Sequence, residues 1–208
     1  MVLSDPQLPI PTLGGGNLLL PKCGPQDQSE LEDRIDVVEF TSDTLSSHVA
    51  ITGVVNVTLV VSSNVTDTDF VVKLTDVFPS LEDTGDADDV GEGSGKKGAK
   101  SMLVQDGIVR MRWREGPMAE EPTLMTPGDV YNVTVTLGPT SYVFNPLHRI
   151  RVTVAGSNFP RFSVNPNTGK PLTDGTPGIL AVSALYHDAV HHSYLELPVV
   201  DLDDMPEL

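Results

Sequence analysis

The sequence predicts an all-β domain built as a sandwich of two sheets, and three observations carry that expectation. From Ile35 onward, roughly eight to ten short runs rich in Val, Ile, Thr, Tyr and Phe are separated by Gly, Pro, Asn and Asp. Several runs alternate apolar and polar residues with a period of two, the mark of a strand that buries one face and wets the other. No stretch carries the 3.6-residue periodicity of an amphipathic helix. With 208 residues, 39% of them hydrophobic, the chain is long enough for one domain with its own core.

Taken in order, residues 1–34 contain Pro6, Pro9, Pro11, Pro21 and Pro25, with Gly14, Gly15 and Gly16 between them. Such a density of breakers predicts an extended interdomain arm, without regular structure, lying against something else. The domain proper is expected over residues 35–200, with strands at 35–40 and 54–61 first. In residues 70–78, Phe70, Val72, Leu74 and Phe78 fall on one face, and Lys73 and Thr75 on the other. Residues 108–114 would place Arg110, Arg112 and Arg114 as a stripe opposite Val109, Met111 and Trp113. Tyr131, Val133, Val135 and Leu137 alternate with Asn132, Thr134 and Thr136; Ile150, Val152 and Val154 alternate with Arg149, Arg151 and Thr153. Runs at 179–186 and 194–200 close the series. Residues 82–100 are almost free of apolar side chains and predict a long mobile acidic loop. Residues 201–208 read as a solvated acidic tail.

The net charge of −16 argues against nucleic acid and membrane surface as partners, because both are polyanionic. No apolar run approaches the ~20 residues that cross a bilayer. The first 13 residues show no basic stretch followed by an apolar core, so no signal peptide is visible and a cytoplasmic location is favoured. The single cysteine, Cys23, excludes an internal disulfide and a multi-cysteine zinc site.

The motifs that could carry chemistry fail on context. Gly93-x-Gly95-x-x-Gly98 matches a dinucleotide fingerprint in letters, yet it sits in a polar loop with no helix after it to hold a pyrophosphate. His187, Asp188, His191 and His192 cluster between two strand patterns, where histidines four apart do not share a face, and they read as a turn. The acidic run from Asp83 to Asp89 lacks the ligand spacing of a calcium loop. Asn56, Asn64 and Asn132 head sequons that also fit half-exposed strands. No Gly-x-Ser-x-Gly elbow is present. The residues therefore indicate no catalytic site, no cofactor and no metal. Arg110, Arg112 and Arg114, and the run Asn158-Phe159-Pro160-Arg161-Phe162, fit either an interface or local packing.

Read together, a series of segments resembles one known family. These are Asp36-Val-Val-Glu-Phe-Thr41, Ile51-Thr-Gly53, Asp67-Thr-Asp69-Phe70, Leu74-Thr-Asp76-Val77, Gly107-Ile-Val-Arg110 and Pro127-Gly128. A denser block follows in His148-Arg-Ile-Arg151, Ser157-Asn-Phe-Pro-Arg161-Phe162, Asn165, and Asn167-Thr-Gly169, with Tyr186-His187-Asp188, Ser193-Tyr194-Leu195 and Leu197-Pro198 at the end. They resemble the C-terminal non-catalytic domain of the X-Pro dipeptidyl-peptidase and cocaine-esterase class of serine hydrolases. In the arm, Pro11-Thr-Leu-Gly-Gly15 and Gly24-Pro25-x-Asp27-Gln28 are similar to the stretch that links hydrolase to accessory domain.

The resemblance implies a jelly-roll sandwich of the galactose-binding-like type. It further implies an accessory domain that packs on the α/β-hydrolase domain of a serine hydrolase with dipeptidyl-peptidase or esterase activity and shapes its substrate cleft. None of the catalytic triad would lie in this chain. Asp67, Asp69 and Phe70, with Asn158, Phe159, Pro160 and Arg161, are the candidates for the interdomain or cleft-lining loops. A homo-oligomer stays open. The competing reading is a free-standing jelly roll that binds carbohydrate or protein.

Overall fold

A computed structural model of the chain describes residues 1–17, 22–80, 99–116, 118–171 and 173–202. Along them run β1 (Val2–Ser4), α1 (Ser29–Glu32), β2 (Val38–Thr41), β3 (Val49–Ser63), β4 (Asp69–Val77) and β5 (Ser101–Arg110). A 3-10 turn (Met111–Trp113) leads on to β6 (Tyr131–Phe144), β7 (Arg149–Ala155), β8 (Ala181–Tyr186), β9 (Tyr194–Glu196) and β10 (Val199–Val200).

The strands form two antiparallel sheets. In the first, β3 pairs along one edge with β6, from Val49 opposite Phe144 to Val61 opposite Tyr131. Its other edge takes β10, β9 and β8 in succession, and β1 extends that sheet beyond β8. The second sheet has the order β2-β7-β4-β5.

Alternation explains which faces meet. Val133, Val135 and Leu137 of β6 are buried while Asn132, Thr134 and Thr136 are exposed, as the period of two requires. Beside them in the same sheet lie Val55, Val57, Leu59 and Val61 of β3, and the other sheet brings Phe70, Val72 and Leu74 of β4 and Val152 and Val154 of β7 into the same core. Each of these side chains contributes roughly 1.5–3 kcal/mol on burial, so this layer outweighs exposed ion pairs at about 0–1 kcal/mol each. Where β5 crosses close to β6, a Cβ on Gly107 would stand 2.5 Å from the Thr136 carbonyl oxygen, so only glycine fits there.

Several expectations are corrected. β4 is not wet on one face: all nine of its residues are buried, and Lys73 is only 5% exposed. The reason is the arm, which covers the outer face of the second sheet. Nor is the arm devoid of regular structure, since it contains β1 and α1. Its backbone bonds to β5 through Gln28 N–H to the Ser101 carbonyl at 2.7 Å and Leu103 N–H to the Gln26 carbonyl at 3.0 Å.

The predicted strand at 108–114 ends at Arg110, and the next three residues turn as a 3-10 helix, which breaks the expected arginine stripe. The first strand begins at Val38, leaving Ile35 89% exposed. Phe78 lies past β4 and stacks on His148, with centroids 4.6 Å apart, instead of joining Phe70 in the core. The run at 194–200 is two short strands, with Pro198 between them. The expected acidic loop up to residue 98, including Gly93, Gly95 and Gly98, and the tail from residue 203 lie outside the described residues. Among the described residues no helix is long and apolar enough to cross a membrane.

Candidate functional site

The two candidate stretches sit at neighbouring loops, and each is braced from inside the domain. Asp67, fully buried, lies in the connection from β3 to β4. One carboxylate oxygen accepts the Arg112 backbone N–H at 2.8 Å, and the other accepts Arg112 Nε at 2.8 Å. Two residues on, Asp69 takes a bidentate pair from Arg110, at 2.9 and 2.8 Å. Asn165 Nδ2 bridges the two carboxylates at 2.8 Å each. Burial pushes the Asp69 carboxyl above its ordinary value; Arg110 and Asn165 oppose that shift, and the nearby Asp67 charge adds to it. The arginines go on to the loop after β7, Arg110 to the Ser163 carbonyl at 2.9 Å and Arg112 to the Lys170 carbonyl at 2.8 Å. Phe70 points the other way, into the core.

The second stretch follows β7. Asn158 is buried and donates from Nδ2 to Asp106 at 3.1 Å. Phe159 exchanges backbone bonds with the arm: its N–H reaches the Ile10 carbonyl at 2.9 Å and its carbonyl accepts Thr12 N–H at 2.7 Å. The Phe159–Pro160 bond is cis. Arg161 Nη2 stands 3.1 Å from Asp106 Oδ1, an ion pair without hydrogen-bond alignment, and its guanidinium lies 5.3 Å from the Phe162 ring centroid.

Beneath the arm the charges continue. Lys73 Nζ donates to Gln28 Oε1 at 2.8 Å, and Gln28 Nε2 holds the Leu13 and Gln26 carbonyls at 3.0 Å each. Burial pulls Lys73 down to about 8, against the attraction of Asp106 and Glu32, and pushes both of those carboxyls up. Elsewhere Asp76 accepts from Tyr142 Oη at 2.8 Å and meets His148 Nδ1 at 2.8 Å. That pair resembles two parts of a triad, but the described side-chain partners of His148, Asp76 and Phe78, supply no nucleophile.

The structure therefore separates the predicted residues into two kinds. Asp67, Asp69, Phe70 and Asn158 are buried inside this domain; Phe159, 47% exposed, and Pro160 form an apolar apex at the surface, with Arg161 half-buried beside them. The bracing residues Asp106, Gln28 and Lys73 were missed by sequence reasoning, because a lone acid or amide in a strand or arm gives no signal until a partner is known. Arg110 and Arg112, left open between interface and packing, are committed to packing. Asp188 accepts the backbone N–H groups of Val190 and His191 at 2.8 and 2.9 Å, so the histidine cluster is a turn stabilised by that carboxylate. Among the described residues no three His, Cys, Asp or Glu side chains group as metal ligands would.

The fold and the site thus define a two-sheet β-sandwich with buried ion pairs bracing its loops and an apolar loop apex at its surface. Residues 9–196 match the family described as the X-Pro dipeptidyl-peptidase C-terminal non-catalytic domain, and the chain belongs to that family. It is 38% identical to the cocaine esterase of Rhodococcus sp. (strain MB1 Bresler) over 202 residues, which are 95% of this chain and 32% of that enzyme. Among solved structures it is similar to an aminopeptidase from a marine sediment Thaumarchaeota archaeon, with TM-score 0.79, 27% identity, and coverage of 96% of this chain and 33% of that one. An α-amino acid ester hydrolase is alike at TM-score 0.78 and 27% identity, with 96% and 32% covered. The chain thus spans about a third of the length of these relatives.

Proposed function

We propose that this chain serves as the C-terminal accessory domain of a serine hydrolase acting on peptide or ester bonds. It packs on the α/β-hydrolase domain, helps wall the substrate cleft and performs no catalysis alone. The observation that carries this reading is the match of residues 9–196 to a non-catalytic domain family, in relatives about three times longer. The apex of Phe159 and Pro160 is the docking element in this account. An exposed aromatic beside a guanidinium is the kind of anchor interfaces use, and Asn158, Asp106 and the arm hold it in place. Asp67 and Asp69 act through the loop they brace. A reducing, cytoplasmic compartment fits the exposed free thiol of Cys23.

The test is turnover by the isolated chain. An X-Pro aryl amide and a simple aryl ester should both be hydrolysed at the background rate. Turnover that disappears when a serine of this chain is blocked would overturn the reading.

A further inference from the structure

The sandwich has a second feature that the accessory-domain reading does not use, an opening between its sheets. A cavity of about 160 Å³ lies between the two sheets, lined by Val57 and Leu59 of β3, Val152 and Val154 of β7, and Leu195 of β9. Phe40 and His187 frame it, with ring centroids 5.4 Å apart at 71°, and the half-exposed Tyr194 completes the rim.

We infer that this cavity is a binding site for an uncharged monocyclic aromatic carrying one hydrogen-bonding group, the chemistry of a phenol. Size sets the class. Drug-sized pockets run to about 300–1,000 Å³, whereas an apolar cavity of about 150 Å³ takes a single benzene ring. Aromatic rims favour edge-to-face contact with a ring over contact with an alkyl chain. Inside the cavity the walls of valine and leucine offer a charged group no counter-ion, and the one basic side chain of the described lining, His187, stands at the mouth.

Polarity at the rim is sparse. The Ser193 hydroxyl is already used, donating to the Tyr186 carbonyl at 2.6 Å and accepting Val60 N–H at 2.9 Å. The His187 imidazole, edge-on to Phe40, supplies one polar partner at the mouth. The inference is independent of the accessory-domain reading.

Methyl-resolved NMR titration of the 208-residue chain with phenol tests it, with benzoate as the charged control. Saturable shifts are expected on the methyls of Val57, Leu59, Val152 and Val154. The dissociation constant should be on the order of 1 mM, about what seven heavy atoms deliver. Intermolecular NOEs should connect those methyls to the ring, and benzoate should bind at least about tenfold more weakly. Val152→Phe, which fills the cavity, should abolish the shifts; should that variant not fold, the NOEs in the parent chain decide alone. Shifts linear in phenol without saturation, or NOEs to methyls elsewhere, would overturn the inference.

Discussion

Arg112 meets Asp67 twice, through its backbone N–H and through Nε, each at 2.8 Å, with the carboxylate wholly out of water. The double contact fixes the 3-10 turn after β5 to the loop that precedes β4. It also places the Arg112 guanidinium on the Lys170 carbonyl. One pair thereby sets the relative position of three loops at this end of the sandwich.

Removing Asp67 alone should cost more than removing both charged partners. Asp67→Ala leaves a guanidinium that is 10% exposed without its anion, and a loss of about 3–5 kcal/mol is expected in urea unfolding. Adding Arg112→Met should recover part of that loss. Strict additivity of the two substitutions would show that the pair is not coupled.

Gly156 tests how the arm is seated. A Cβ there would fall 2.4 Å from Ser4 Cβ and 2.9 Å from Ser4 Cα, so alanine must push β1 away from the sandwich. Gly156→Ala should destabilise by about 1–3 kcal/mol, the range for overpacking. Amide exchange should accelerate at Leu3, whose strand pairs with Ala181–Ser183. Unchanged exchange there would contradict the packing described.

Lys73 gives stability a pH dependence of defined sign. Its folded pKa of about 8 lies below its ordinary 10.5, so above pH 8 the folded chain releases a proton that the unfolded chain keeps. Stability should therefore rise between pH 8 and 10, by up to about 3 kcal/mol if the whole interval to the ordinary value were traversed. Above pH 10 Tyr142 opposes the trend. Burial and its bond to Asp76 raise its pKa, so the folded state holds a proton that the unfolded state loses. Lys73→Met should remove the rise between pH 8 and 10; its persistence would assign the slope to another group.

Much of the sandwich was legible because alternation is a local signal. Val133, Val135 and Leu137 announce their buried face without any knowledge of β3. β4 could not be read that way: Lys73 and Thr75 look solvent-facing until the arm, some forty residues earlier, lies over them with Gln28 on the lysine. The arginine run failed for a related reason. Its residues alternate as a strand would, but the carboxylates that capture Arg110 and Arg112 turn the chain after β5. The loop Asn158–Arg161 was singled out by its chemistry. Only burial distinguishes the bracing asparagine from the exposed Phe159 and Pro160.

The central claim is the proposed docking through the Phe159 apex, and binding of the chain to the α/β-hydrolase domain proposed as its partner tests it most directly. Calorimetric titration should give specific one-to-one binding that Phe159→Ala weakens by about tenfold or more. The same substitution should lower the chain's own stability by only about 1 kcal/mol, since about half of the side chain is already exposed. Absence of binding, or binding unaltered by Phe159→Ala, would contradict the account.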